Sequence, residues 1–463
     1  MFCLMTKRLT SKISLLTALI ALSAAAVFSQ TAAPSVDVGA KVDEYMNARL
    51  DAKGYGGAVL IVKDGKPIAA KGYGFADAEA KTPIKPDTKF RIGSVTKQFT
   101  AALILMLQED GKLNVQDPVC KYLDPCPPAW QPVTLHHLLS MTSGITSITS
   151  LPNWRTELRF KDLTPVESIA QVSALPLKAK PGEVYEYSNT NYITLGHIIE
   201  KITGKTYEQV LTERIIKPLG LKNTGLDGSK KQLQNAALGY TFKNGANARA
   251  DSSSILTPFS AGSMYSTTED LYAWQTALLN GRVFKNKATL DAMLTPNKNN
   301  YGYGFIVVTD PKGRKRVTHG GGIEGFLSDA VYFPEEKLFI AALTNNDRGA
   351  VGEVMAALDA IVVGAPYTLP KKRTAIKVDP AVLDKYVGEY QLGPAMTFKI
   401  ERGPEGLTLE PTNQPKVPLF AESETDFYLT VVDATLKFVK DDAGKVTGLE
   451  FTQGGRTSKA AKK

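Results

Sequence analysis

Histidine and cysteine are scarce: 463 residues contain four of the first and three of the second. Tetrahedral metal sites are built largely from these two residue types. His136, His137, His197 and His319 stand at no ligand spacing with the cysteines, so no metal or other cofactor is expected. The Gly-x-Ser-x-Gly elbow is absent, which closes the common lipase-type hydrolase route. No Gly-x-x-x-x-Gly-Lys-Ser/Thr occurs, which closes the P-loop route. Long blocks of one charge are also missing. The net charge is +9, but lysine and arginine are interleaved with acids along the chain. The densest short run, Lys371-Lys372-Arg373, reads as a solvated linker, and no nucleic-acid partner is expected. With 43% apolar and 22% charged residues, the composition is that of a globular protein and excludes a disordered chain.

The N-terminus carries Lys7, Arg8 and Lys12, then an uncharged run over residues 13–28. That run is shorter than the roughly 20 residues of a membrane-spanning helix. Small residues follow, and cleavage after Ser29 or Ala26 fits the rule for secretory signals. Residues 1–29 therefore read as a signal peptide, with no stable membrane span after its removal and a periplasmic or secreted protein as the result. Cys3 leaves with the signal. Cys120 and Cys126 remain, close together in a proline-rich loop. In an oxidising compartment they can close a disulfide, the alternative being two free thiols.

The mature chain falls into three parts: residues 36–365, a linker at 366–378, and residues 379–463. The first opens with an amphipathic helix over residues 36–50. A hairpin follows, with a buried strand at 58–62 and Asp64-Gly65 at its turn. Residues 94–108 form a helix whose second half is apolar on all sides, hence buried all round. Residues 127–297 look helical with loops. Strands are expected at 303–310, 329–333 and 339–343, and a closing helix at 351–363. The pattern is an α+β architecture, an antiparallel sheet flanked by helices. Beyond 379, seven short alternating strands, the last at 446–453, indicate a small all-β barrel-like or sandwich domain.

Chemistry concentrates in three segments. The first is Ser94-Val95-Thr96-Lys97 at the start of the buried helix, the one Ser-x-x-Lys in the sequence. The three-residue step puts both side chains on one face of the first turn. A serine hydroxyl needs a neighbour to take its proton, and a buried lysine with a lowered pKa can do so. Against this stands a plain N-cap serine beside a solvated lysine. The second is Tyr187-Ser188-Asn189. A phenol near lysines can lose its proton below its usual pKa and act as base or leaving-group acid. Asn189 can hold a substrate carbonyl with its amide. The tripeptide pattern is cheap, since Tyr45-Met46-Asn47 repeats it in mid-helix. The third is Thr318-His319-Gly320-Gly321-Gly322, where glycines on or beside a strand permit close approach of another backbone or a ligand.

In this order, these segments resemble the serine β-lactamase and penicillin-binding-protein superfamily, in particular its branch of class C β-lactamases, D-alanyl-D-alanine carboxypeptidases and esterases. Residues 90–99 match the family's nucleophile segment. Residues 135–145, with Leu138-Leu139 and Thr142-Ser143-Gly144, resemble another of its segments, and residues 261–267 and 301–305 two more. The resemblance implies an acylated nucleophile at Ser94 with Lys97 as its base partner and Tyr187 as base and acid. It makes Asn189, His319, Gly320 and Gly321 substrate contacts, and the N–H groups of Ser94 and Gly322 an oxyanion hole. It also implies a lipocalin-like C-terminal domain. His319 stands where true β-lactamases have lysine, and histidine carries charge only near its reference pKa of about 6.5. β-Lactam hydrolysis is therefore ranked last among the activities.

The leading expectation is an exported serine hydrolase working through acyl-Ser94 on a small ester, amide or D-amino-acid peptide, with a peptidoglycan-derived source left open. Two alternatives stand beside it. One is a penicillin-binding or muropeptide-sensing module that acylates without turnover. The other is a wall-binding protein with a silent catalytic fold.

Overall fold

The computed structural model describes residues 37–228, 233–243, 246–394, 396–403, 406–430, 434–453 and 456–463. The expected signal peptide lies outside them. Helix α1, Val38–Lys53, buries Val42, Tyr45, Met46 and Arg49, the i, i+3, i+4, i+7 set of one helical face. Arg49 completes the stripe. Its guanidinium donates to Gly349 O and lies 3.6 Å from the Glu353 carboxylate.

Strands β1, Gly57–Lys63, and β2, Lys66–Tyr73, form the expected hairpin. Asp64 and Gly65 both have positive φ, the twist that a two-residue hairpin turn demands. Four later strands join them: β3, Ile306–Thr309; β4, Lys315–Ile323; β5, Phe326–Phe333; and β6, Leu338–Thr344. The sheet is antiparallel in the order β3-β4-β5-β6-β1-β2. Strands β1 and β6 sit inside it and are covered on both faces. That is why they read as continuous apolar runs rather than as alternation.

One face of the sheet packs against helix α2, Thr96–Glu109, which is buried from Thr96 to Leu107. Helix α3, Asn189–Thr203, belongs to the same core. The other face is closed by α1 and by helix α4, Val351–Val362, through Val354, Leu358 and Ile361. The two cores thus lie on opposite sides of one sheet, a three-layer arrangement of the β-lactamase/transpeptidase type.

Some expectations shift. The strand expected from 303 begins at Ile306. Gly304 has φ +73° and sits against the backbone of α2, where a Cβ would stand 2.7 Å from Lys97 O. The stretch expected to be helical contains a hairpin, Tyr240–Lys243 with Ala246–Arg249, and the strands Gly225–Leu226 and Met264–Ser266, paired to each other.

Residues 365–379 hold neither helix nor strand. Beyond them eight antiparallel strands close a barrel. Tyr390 of the first strand, Gly388–Gly393, pairs with Lys462 of the last, Arg456–Lys462. The interior is filled by side chains. Tyr386 stacks on Phe438 with ring centroids 4.1 Å apart, and Phe427, Ile400, Leu409 and Leu436 pack around them.

Candidate active site

The nucleophile turn is shaped by glycine. Gly93 has φ +49°, and a Cβ there would lie 2.8 Å from Gly322 N. Gly321 faces Ile92 in the same way, with a Cβ placed 2.0 Å from Ile92 O. Ser328 Oγ donates to that carbonyl at 2.8 Å. The turn carrying Ser94, a single 3-10 turn over Gly93–Val95, is thus seated on the glycines of β4 and leads directly into α2. Ser94 is partly exposed, while Lys97, one turn on, is fully buried.

Lys97 Nζ has three polar neighbours: Ser94 Oγ at 3.0 Å, Asn189 Oδ1 at 2.8 Å and Ala261 O at 2.8 Å. Burial holds its pKa well below the ordinary lysine value. A neutral amine has two N–H bonds and one lone pair. The carbonyl oxygens of Asn189 and Ala261 can only accept, so they take both N–H bonds. The lone pair is left for Ser94, whose hydroxyl donates to it.

Asn189 opens α3 and is locked in turn. Its backbone N–H donates to Ser147 Oγ at 3.0 Å and its Nδ2 to Thr149 Oγ1 at 3.1 Å. With Nδ2 on Thr149, Oδ1 faces Lys97. Asn189 thus orients the lysine through its carbonyl oxygen, while Nδ2 keeps a second N–H. Ser147 and Thr149 carried no signal in the sequence, being small hydroxyls whose meaning comes only from contact. Met141 also acquires a role, its Sδ accepting the Ser188 N–H at 3.4 Å next to Tyr187.

Tyr187 departs from its expectation. Desolvation raises its pKa above that of an ordinary phenol, although Ser94 acts in the lowering direction. Its hydroxyl is buried without a full hydrogen bond among the described residues. The group is a neutral phenol, able to donate but poorly suited to begin as a base. Lys97 Nζ lies 4.8 Å from the centre of its ring.

His319 is 4% exposed. Its Nδ1 is 2.6 Å from Gly320 O, an obligate acceptor, so Nδ1 carries the proton. Nε2 then accepts from the Tyr301 hydroxyl at 3.0 Å. Burial pushes its pKa down to about 4, the neighbouring Lys97 acts the same way, and the Gly320 carbonyl opposes them. His319 is thus a neutral imidazole with both nitrogens engaged.

A cavity of about 570 Å³ opens over Ser94, lined also by Asn189, Gly322, Ile148, Trp154 and Leu327. Tyr187, His319, Gly320 and Gly321 are not among its lining residues. Gly321 packs closely on the nucleophile turn, its Cβ position being taken by Ile92 O, and the Gly320 carbonyl accepts from His319 Nδ1. Gly322 is exposed on the cavity wall. Elsewhere, Cys120 and Cys126 are joined in a disulfide, their Cα atoms 5.2 Å apart. Among the described residues no three His, Cys, Asp or Glu side chains come together as a metal site, and no helix is long and apolar enough to cross a membrane.

A buried lysine held against a serine at the head of a core helix, beside a six-stranded antiparallel sheet, defines a serine hydrolase of the penicillin-binding-protein and β-lactamase class. The chain belongs to the Beta-lactamase family, whose model matches residues 40–364; a domain family of unknown function (DUF3471) matches residues 372–460. Penicillin-binding protein 4* of Bacillus subtilis (strain 168) is 28% identical over 419 residues, covering 84% of this chain and 92% of its own. Among solved structures, the octameric penicillin-binding protein homologue from Pyrococcus abyssi has a TM-score of 0.64 at 26% identity, covering 91% of this chain and 99% of its own. A D-stereospecific amidohydrolase from Streptomyces sp. has a TM-score of 0.62 at 28% identity, covering 71% and 99%.

Proposed function

We propose that this protein is an exported acyl hydrolase that forms an acyl-Ser94 intermediate on a small ester, amide or D-amino-acid peptide. The observation that carries the proposal is the buried Lys97 Nζ at 3.0 Å from Ser94 Oγ, with burial holding its pKa well below the ordinary lysine value. Lys97 takes the hydroxyl proton as Oγ attacks the substrate carbonyl. The Ser94 and Gly322 N–H groups receive the oxyanion. Tyr187, a neutral phenol, donates its proton to the departing alcohol or amine. Water then attacks the acyl-enzyme, giving its proton to the Tyr187 phenolate, while the Ser94 oxygen leaves with the proton held by Lys97 and the acid is released.

Similarity to a D-stereospecific amidohydrolase supports D-amino-acyl amides among the substrates. Export is supported by the basic and apolar N-terminus and by the disulfide. β-Lactams are ranked last, because a neutral His319 offers no charge to their carboxylate. Acylation without turnover is the second reading, favoured by the similarity to penicillin-binding protein 4*.

The test is intact mass after treatment with a fluorophosphonate and, separately, a penicillin. One fluorophosphonate adduct is expected on the wild type and none on Ser94→Ala, with ester turnover abolished in the variant. A persistent penicillin adduct without turnover of any ester or amide would favour the second reading. An unlabelled wild type would overturn both.

A further inference from the structure

The Ala261 carbonyl that accepts from Lys97 is itself held from behind. It belongs to the short helical turn Phe259–Gly262, which packs against both α2 and α3. Phe259 enters the turn at φ +43°. A residue with a Cβ keeps that left-handed conformation only where its surroundings over-determine it. Three contacts do so here. Thr100, one turn beyond Lys97 on α2, donates its hydroxyl to Ser260 O at 2.7 Å. Ser260 Oγ donates to Tyr192 O of α3 at 2.8 Å. Gly196 permits that approach, since a Cβ there would stand 2.0 Å from Ser260 Oγ. The Tyr207 ring lies against the Phe259 ring, with centroids 5.2 Å apart.

The hydroxyls fall in one order. Thr100 has a single hydroxyl proton, and the Ser260 carbonyl can only accept it. The Tyr207 hydroxyl, 2.7 Å from Thr100 Oγ1, is therefore the donor to Thr100. Thr100, Tyr207 and Ser260 are fully buried, where an unpaired polar atom is costly. Two successive carbonyls of the turn are thus bound by two residues of α2: Ser260 O by Thr100 and Ala261 O by Lys97, the latter at 2.8 Å.

From this arrangement, and resting on the acyl-hydrolase reading above, we infer that Thr100 is a positioning residue for the reaction. Through the Ser260 carbonyl it sets the Ala261 carbonyl against Lys97, and so keeps the amine oriented toward Ser94. Thr100 does not line the Ser94 cavity, so its effect falls on the rate of attack and not on substrate binding. An amine that loses one of its two carbonyl acceptors can turn about its Cε–Nζ bond, and its lone pair is no longer kept on the serine.

The test follows acylation of Ser94 by a fluorophosphonate as intact mass over time, separating the maximal rate kinact from the half-saturating concentration KI. Thr100→Val keeps the side chain's shape and removes its hydroxyl. It is expected to lower kinact at least about tenfold with KI unchanged, as misplacement of a reacting group does. Thr100→Ser restores the hydroxyl and is expected to retain most of the wild-type rate. Tyr207→Phe is the control for stability: it removes a buried hydrogen bond of the same chain but leaves Thr100 on Ser260. It is expected to melt earlier while keeping most of kinact. If Thr100→Val does not fold, Thr100→Ala is compared with Thr100→Ser, the two differing only in the hydroxyl. Unchanged kinact in Thr100→Val, or an equal loss in Thr100→Ser or in Tyr207→Phe, would overturn the inference. Failure of the hydrolase reading is seen separately, as an unlabelled wild type. Crystal structures then decide the positioning without chemistry. In Thr100→Val the Ala261 carbonyl is expected to leave hydrogen-bond range of Lys97 Nζ, and an unmoved carbonyl would overturn the inference.

Discussion

At Lys97 the number of protons decides the chemistry. With three protons the ammonium donates to Ser94; with two it accepts from it. Desolvation favours the second state. The groups facing it are Ser94, Asn189, the Ala261 carbonyl, the Tyr187 and Tyr192 rings and His319, none of them a carboxylate. Turnover is therefore expected to fall on the acid side as Lys97 gains its proton, at a pH well below the ordinary lysine value. A pH profile of kcat/KM on a neutral ester checks this, and Lys97→Met is expected to lose at least a thousandfold, as much as Tyr187→Phe or more. Full activity in Lys97→Met would remove the lysine from the base role. His319 gives a second pH signature. Its folded pKa of about 4 lies below the reference value of about 6.5, so the unfolded chain binds more protons between them. Stability is then present above about pH 6.5 and declines as the pH falls toward 4. Thermal melts across that window should show His319→Gln losing less than the wild type.

At the scale of elements, the nucleophile depends on how close one turn comes to one strand. Gly321 has room for no side chain, because Ile92 O already occupies the Cβ position. Gly321→Ala must push the Ile92–Ser94 turn away from β4. A loss of about 1–3 kcal/mol is expected, of the order seen when a packed site is overfilled. A larger proportional loss of kcat should accompany it, since Ser94 and Gly322 move apart. Measured melting and kinetics together test this, and a stable, fully active Gly321→Ala would refute the packing role. The sequence displayed the glycines but not their partner: a run of three glycines reads equally well as a ligand cradle or as a seat for another backbone. Ser147 and Thr149 were invisible for the same reason, their function being contact with a residue some 40 positions away.

At the scale of the whole molecule, the C-terminal barrel depends on a strand that hydrophobic patterning could not detect. Arg456–Lys462 buries Ala460 alone, so it lacks the alternation that marked the other strands. Its work is done by the backbone, which pairs with Val446–Gln453 on one side and Gly388–Gly393 on the other. Truncation after residue 453 is expected to open the barrel and expose Tyr390 and Phe438, read as proteolytic susceptibility of the C-terminal part. Undiminished protease resistance would contradict that dependence.

The sequence by itself determined the α+β architecture, the central hairpin, the buried helix and the proximity of Ser94 to Lys97. Each of these follows from local periodicity or from a spacing of a few residues, and local chain geometry is enough to express it. Tertiary structure alone decided that Asn189 faces the lysine, that Tyr187 is a protonated phenol and that His319 is neutral. Those properties depend on desolvation and on hydrogen-bond partners brought from distant segments, which no short stretch of sequence contains.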